Sequence, residues 1–307
     1  MTVLVAGATG LVGSAILREL TKAGESVIGI SSKEVNLLDR KSVFNYLSRI
    51  KPTSVINAAA KVGGIGANNS YPVEFLSENI QIQTNLIDAA HNAAVEKFIF
   101  LGSSCVYPKN CPQPIKEEYL LTGPLEPSNS AYAVAKISGI ELINSYRKEF
   151  GHPWISVMPT NLYGPNDNFD LDNSHMLAAL IRKFIEAKKS NLESVILWGT
   201  GTPRRELLHV EDLARAIVIC LDSYYSRSLI NIGCGVDFTI REIAQKVSSA
   251  VGFKGEILWD PSKLDGVPQK VLDIGRISGL GWKPSISLDE GIKSTIHWYL
   301  KNYKETN

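Results

Sequence analysis

Over roughly its first half the chain alternates between short apolar runs and longer amphipathic stretches. Thr2–Ala6, Val27–Ile30, Ser54–Asn57, Phe98–Leu101 and Ile155–Met158 are brief runs rich in apolar or β-branched residues. Continuous apolar character over so few residues suits strands buried on both faces of a parallel sheet. Between them, near 40–49, 73–94 and 130–149, apolar positions recur at helical spacing. Strand and helix in alternation predict an α/β chain built on a doubly wound parallel sheet of the Rossmann type. After Asn161-Leu162-Tyr163-Gly164-Pro165 the regularity fades. The Pro- and Gly-bearing pieces 164–175, 198–204 and 260–270 read as loops of a smaller C-terminal lobe, while 206–234 are expected to return to the sheet. The expected division is therefore 1–165 plus about 206–235 for the sheet domain, and about 166–205 plus 236–307 for the smaller lobe.

The first strand runs into Gly7-Ala8-Thr9-Gly10-Leu11-Val12-Gly13 and then a helical pattern with Leu11, Ile16, Leu17 and Leu20 apolar. Strand, glycine-rich turn and helix in this order bring backbone N–H groups and a helix N-terminus against a pyrophosphate. The spacing is G-x-x-G-x-x-G instead of the commoner G-x-G-x-x-G. Downstream, Tyr132 and Lys136 are four apart, which on a helix places them on one face. A free Tyr has a pKa near ~10, so moving a proton at neutral pH asks for a shift of about 3 units, or roughly 4 kcal/mol. An ammonium about 4 Å away at an effective dielectric near 20 is worth about that much. Lys136 is thus expected to bring Tyr132 into working range, with Ser103 of Ser103-Ser104-Cys105-Val106-Tyr107 holding the carbonyl that Tyr132 protonates. The same Y-x-x-x-K spacing also occurs in ordinary amphipathic helices; the glycine turn ahead of it is what favours the catalytic reading.

Composition changes the picture little. Lys and Arg number 32 against 31 Asp and Glu, a net charge of +1, so neither nucleic acid nor an anionic membrane is an expected partner. No apolar stretch approaches the roughly 18 residues of a membrane span. Cys105, Cys111, Cys220 and Cys234 form no CxxC pair and no metal spacing. With a start that leads straight into the first strand, this gives the expectation of a cytoplasmic enzyme without a metal.

The glycine turn and the Ser/Tyr/Lys set together resemble the short-chain dehydrogenase/reductase superfamily in its extended form. The resemblance sharpens in Ala59-Ala60-Lys61-Val62-Gly63-Gly64-Ile65-Gly66-Ala67-Asn68-Asn69 and in Leu101-Gly102-Ser103-Ser104-Cys105-Val106-Tyr107-Pro108. It continues through Pro159-Thr160-Asn161-Leu162-Tyr163-Gly164-Pro165, Asn173-Ser174-His175, Trp198-Gly199-Thr200-Gly201-Thr202-Pro203-Arg204-Arg205-Glu206, Asn231-Ile232-Gly233 and Asp265-Gly266. In these segments the chain is similar, essentially end to end, to the GDP-L-fucose synthase family. That family comprises NADPH-dependent 3,5-epimerase/4-reductases of GDP-4-keto-6-deoxy-D-mannose.

The resemblance implies that the sheet domain binds NADP(H) and the smaller lobe the GDP-sugar. It implies that Cys105 and His175 move protons in epimerisation while Ser103, Tyr132 and Lys136 serve the reduction. Leu101, Gly102, Ser103, Ser104, Lys136, Pro159, Thr160, Asn161, Leu162 and His175 then join the glycine turn around the cofactor. Lys183, Trp198, Arg205 and Asp265 are implied to hold the nucleotide sugar, although the family often carries Arg where this chain has Lys183. Without the resemblance, Cys105 reads as a small buried hydrophobe, and His175, Lys183 and Asp265 as surface polar groups. At the end of strand two, Ile30-Ser31-Ser32-Lys33 has no acid before Glu34 to take a ribose 2′-hydroxyl, which favours NADP(H). Relatives commonly have Arg where this chain has Thr9 and Ser32. Sugar-nucleotide 4,6-dehydratases share the Tyr and Lys, but usually show Thr-Asp-Glu in place of Ser103-Ser104-Cys105; a catalytically silent NADP-binding protein would have no need of all five candidate catalytic residues. A homodimer is also implied, with the helices near 73–94 and 130–149 meeting their symmetry mates and Ile80, Leu86, Ile87, Ile140, Leu142 and Ile143 supplying the apolar surface.

Overall fold

The computed structural model describes residues 1–170, 174–223, 228–263 and 265–303. The chain begins β1 (Thr2–Ala6), α1 (Leu11–Lys22), β2 (Ser26–Ile30), α2 (Arg40–Ile50), β3 (Ser54–Asn57), α3 (Ile65–Ser70) and α4 (Pro72–Asn92). It continues β4 (Lys97–Leu101), α5 (Ser130–Phe150), β5 (Ile155–Pro159), β6 (Asn161–Tyr163), α6 (Met176–Lys189), β7 (Ser194–Trp198), β8 (Arg204–His209) and α7 (Val210–Ser223). Last come β9 (Leu229–Ile232), β10 (Asp237–Thr239), α8 (Ile240–Val251), β11 (Glu256–Asp260), β12 (Gln269–Lys270), α9 (Gly275–Ser278) and α10 (Leu288–Asn302).

Six strands form one parallel sheet in the order β2-β1-β3-β4-β5-β9. The order reverses at β1, which has β2 on one side and β3 on the other. Ligands of such sheets sit outside the carboxyl ends of the strands at this reversal. β3 falls where the apolar run placed it, and β2, β4 and β5 are each longer by a single residue. Both faces are covered. Val3, Val5 and Ile230 pack toward the α1 and α7 side with Ile16 and Ile217, and Leu4, Val55 and Phe100 toward α2, α4 and α5 with Leu47, Leu86 and Ile140.

A second core belongs to the smaller lobe, where Phe184, Val247 and Ile296 of α6, α8 and α10 close over short strands. β8 pairs with β6, β10 and β12, and β7 pairs with β11. The return to the main sheet expected for 206–234 is therefore made by α7 and β9, while 206–209 stay in the small sheet. The reason is visible in β8: successive side chains face opposite ways, Leu207 entering the small-lobe core and Leu208 the main one. The division expected after 236 is also crossed, because Leu272, Ile277 and Trp282 pack into the clusters of the main sheet.

Helices α4 and α5 lie against each other, but the apolar residues expected to exceed the needs of one sheet face do not. Leu86, Ile87, Ile140 and Ile143 are buried in the chain's own core, and Ile80 and Leu142 are half-buried. Val73, Val134 and Phe150 are the exposed apolar residues of these helices. Among the described residues, no helix is long and apolar enough to cross a membrane.

Candidate active site

A cleft of about 660 Å³ opens at the reversal point. Its floor is the glycine turn. Gly7 has φ +80°, and a Cβ there would lie 2.8 Å from the backbone of Ala58 and Ala59, so the close approach of β1 to β3 requires glycine. A Cβ on Gly13 would collide with the Gly7 carbonyl. Gly10 starts α1 with no side-chain cap and no acidic residue in the first turn, which leaves the helix N-terminus open to an anion. Thr9, Leu11 and Val12 line the cleft beside these glycines; Ala8 does not, its N–H donating to the Ile30 carbonyl at 3.0 Å.

Leu101, Gly102, Ser103 and Ser104 line the opposite wall, with Pro159, Thr160, Asn161 and Leu162 between. The Thr160 N–H donates to the Ile232 carbonyl at 3.0 Å and Asn161 Nδ2 to the Glu206 carbonyl at 3.0 Å, fixing this turn to both lobes. Val62 and Gly63 of the A-K-V-G-G segment overhang the cleft, held by reciprocal bonds between Asn79 and the Lys61 backbone at 2.8 and 3.0 Å.

Ser103, extended and two residues beyond β4, caps the short helical turn Ser104–Val106, its Oγ accepting from the Cys105 N–H at 3.3 Å. A buried network holds this turn from behind. Tyr107 Oη donates to Asn231 Oδ1 at 2.6 Å, and Glu117 Oε1 accepts from the Asn231 N–H at 3.0 Å. Tyr132 stands in the first turn of α5, with the Phe75 ring edge-on at 6.2 Å. Lys136, only 4% exposed, donates to the Leu101 carbonyl at 2.8 Å, and its ammonium lies 5.7 Å from the Tyr132 ring centroid. The expectation that Lys136 lowers the phenol is not met here. Burial, reinforced by Cys105, holds the Tyr132 phenol well above the ordinary value. Burial brings Lys136 down to about 8, with Cys105 opposing. The ammonium is committed to a carbonyl, and the desolvation of both groups outweighs their attraction.

His175 precedes α6 and lines the cleft mouth, where the residue is exposed even though the surrounding walls desolvate the ring and hold its pKa below the usual imidazole value. Of the Asn173-Ser174-His175 motif, Asn173 lies outside the described residues. Cys105, 8% exposed, does not itself line the cleft; it sits behind Ser104, within electrostatic reach of Tyr132 and Lys136.

The four residues expected at the nucleotide sugar form a separate group in the smaller lobe. The Lys183 ammonium is 5.7 Å from the Trp198 ring centroid, and Trp198 is 71% exposed. Asp265 accepts from the Thr200 N–H at 3.0 Å and Thr200 Oγ1 at 2.6 Å, so it also closes the turn beside Trp198. Arg205 Nη1 donates to the Val267 carbonyl at 2.6 Å, and Asp265 acts on its charge.

Three residues at these sites were not found in the sequence. Lys263 also faces Trp198, at 5.7 Å. Asp167 lines the cleft in the loop after β6, where burial pushes its carboxyl up to about 7. Lys270, half-buried, ends β12 opposite Arg205 of β8. An acid in the irregular Asn166-Asp167-Asn168 run was a legible signal; a lysine on a two-residue strand carried none.

The profile of the NAD dependent epimerase/dehydratase family matches residues 3–233. GDP-L-fucose synthase 1 of Arabidopsis thaliana is 52% identical over 301 residues, covering 98% of this chain and 93% of its own. GDP-L-fucose synthase of Escherichia coli (strain K12) is 48% identical, covering 98% of this chain and 97% of its own. A solved GDP-L-fucose synthetase from Naegleria fowleri bound to NADP superimposes with a TM-score of 0.90 at 30% identity, covering 99% of this chain and 95% of that one.

Proposed function

The chain belongs to the NAD dependent epimerase/dehydratase family, in its GDP-L-fucose synthase branch, and we propose that it converts GDP-4-keto-6-deoxy-D-mannose to GDP-L-fucose. The observation that carries this reading is the meeting of Ser103, Tyr132, Lys136 and His175 on one cleft floored by an uncapped helix N-terminus, with Cys105 immediately behind.

The residues present fit NADP(H). Gly7, Gly10 and Gly13 admit the pyrophosphate closely, and Ser31 and Ser32 line the cleft at the end of β2. Glu34, the first acid after β2, is occupied: Oε2 accepts from the Ser31 N–H at 2.7 Å and Ser31 Oγ at 2.6 Å. When bound, NADPH supplies the hydride that reduces C4.

The C4 ketone acidifies the protons at C3 and C5, so inversion there needs one group to remove a proton and another to return it from the opposite face. Cys105 and His175, on different elements, take these two parts. Ser103 and Tyr132 hold the enolate oxygen by hydrogen bonds. Once both centres are inverted, Tyr132 gives its proton to the C4 oxygen. Its phenol, held above the ordinary value by burial, carries its proton at pH 7. Lys183, Trp198, Arg205 and Asp265 grip the GDP moiety, the cations on the diphosphate and the indole face on the base.

Incubating the protein with GDP-4-keto-6-deoxy-mannose and NADPH should yield GDP-L-fucose by NMR, with kcat/KM for NADPH well above that for NADH. A product inverted at neither C3 nor C5 would assign the chain to plain C4 reduction, and a clear NADH preference would sink the cofactor assignment. The protein is further proposed to be a cytoplasmic homodimer joined through α4 and α5, with Val73 and Val134 in the interface. Light scattering at micromolar concentration should give twice the chain mass of 33.6 kDa; the monomer mass would reject the pairing.

A further inference from the structure

Trp198 ends β7, and Asp260, its partner in the parallel register, ends β11. Beyond β11 the chain turns tightly: the Lys263 N–H donates to the Asp260 carbonyl at 3.3 Å, and the Ser262 N–H to Asp260 Oδ1 at 3.0 Å. The Gly199 N–H donates to the same Asp260 carbonyl at 2.9 Å, which ties this turn to the segment after Trp198. The Lys263 ammonium is thereby brought to 5.7 Å from the Trp198 ring centroid, the same distance as that of Lys183.

The two lysines differ in their surroundings. Lys183 is half-buried on α6, eight residues or about 12 Å along the helix from His175 at the cleft mouth. Lys263 is exposed, and it follows a strand that pairs with β7 alone. Its ammonium has no hydrogen-bond or ion-pair partner among the described residues. The neighbouring groups are committed. Asp260 Oδ1 accepts from Ser262 Oγ at 2.6 Å, Asp265 accepts from Thr200, and Arg241 lies over the Trp259 ring while donating to the Thr200 carbonyl at 2.8 Å.

Trp198, 71% exposed, can stack a base, but stacking does not tell one purine from another, because every base has a π-face. The edge of the base does. Guanine presents two acceptors there, O6 and N7, where adenine presents an amino donor beside N7. A lysine ammonium has three donors and no acceptor, on a flexible stem that can reach the edge of a base laid on the indole. It matches guanine and meets the adenine amino group donor to donor. We propose that Lys263 is a specificity-determining residue, donating to O6 and N7 of a guanine stacked on Trp198 and so selecting GDP-sugars over their adenine counterparts. This rests on the proposed seat of the GDP moiety at Trp198, and it leaves the diphosphate to Lys183 and Arg205.

The test is calorimetric titration of the NADP-loaded protein with GDP, IDP and ADP, IDP sharing O6 and N7 with GDP. Wild type should bind GDP about tenfold or more tighter than ADP. Lys263→Met, a change at an exposed position, should weaken GDP and IDP by about tenfold and leave ADP unchanged. Lys263→Arg, which keeps donors for the same two acceptors, should retain the preference for GDP. Equal losses for GDP and ADP in Lys263→Met would overturn the proposal and make Lys263 a diphosphate ligand. No loss for either, IDP following ADP instead of GDP, or a wild type blind to the base would overturn it as well. Trp198→Ala distinguishes the two levels of failure. If that variant binds GDP as wild type does, the seat of the GDP moiety is wrong. If it loses GDP while Lys263→Met keeps it, only the role of Lys263 fails.

Discussion

Tyr132→Phe should lower NADPH oxidation with the 4-keto substrate by a factor of about 10²–10⁴, while NADPH affinity should stay within a few-fold of wild type. The substitution removes one hydroxyl from a ring whose contacts otherwise persist, since Phe75 meets it edge-on. What is lost, in the proposed mechanism, is the proton that completes reduction at C4. Lys136 does not replace it: buried and bonded to the Leu101 carbonyl, its ammonium is fixed on the strand side of the helix. Exchange of the C3 and C5 protons should fall by less, because Ser103 still holds the enolate oxygen. Stopped-flow oxidation of NADPH and solvent-deuterium uptake, measured on the same variant, separate the two steps. Wild-type turnover in Tyr132→Phe would show that the acid lies elsewhere, with His175 at the cleft mouth the first alternative.

The parallel sheet was legible because strands buried on both faces are apolar at most positions, as in Phe98–Leu101, with Ser54, Asn57 and Ser156 among the buried polar exceptions. The glycine turn was legible for a related reason. At Gly7 and Gly13 any side chain would strike backbone, so the fold writes its closest approach into the sequence. The smaller lobe was less readable. β6, β10 and β12 are only two or three residues long, and their pairings with β8 join residues far apart in sequence, so local pattern carries little of what fixes them. Spacing on α5 gave Tyr132 and Lys136 one face, but not the carbonyl that captures the ammonium. Counting apolar positions on α4 and α5 also misjudged their exposure, since Leu86, Ile87, Ile140 and Ile143 are consumed by the chain's own core.

Cys105→Ser separates inversion from reduction. A serine hydroxyl has nearly the shape of the thiol but is a far weaker base at pH 7, and the turn that holds it is capped by Ser103 through the Cys105 N–H and braced by the bond from Tyr107 to Asn231. The variant should therefore fold, bind NADPH as wild type does, and keep Tyr132 and Lys136 in place. In D2O the wild-type protein should place deuterium at both C3 and C5 of its product. The Ser variant should lose most of that label, by about 10²-fold in exchange rate at the carbon Cys105 serves. Whatever it releases should be reduced at C4 without full inversion, a GDP-6-deoxyhexose other than L-fucose. His175→Gln should give the complementary defect, failing at the return of a proton rather than its removal. The decisive result is the pairing of label with product. If Cys105→Ser takes up deuterium normally at both carbons and still makes GDP-L-fucose, the sulfur moves no proton. Cys105 is then the small buried hydrophobe that its 8% exposure also permits.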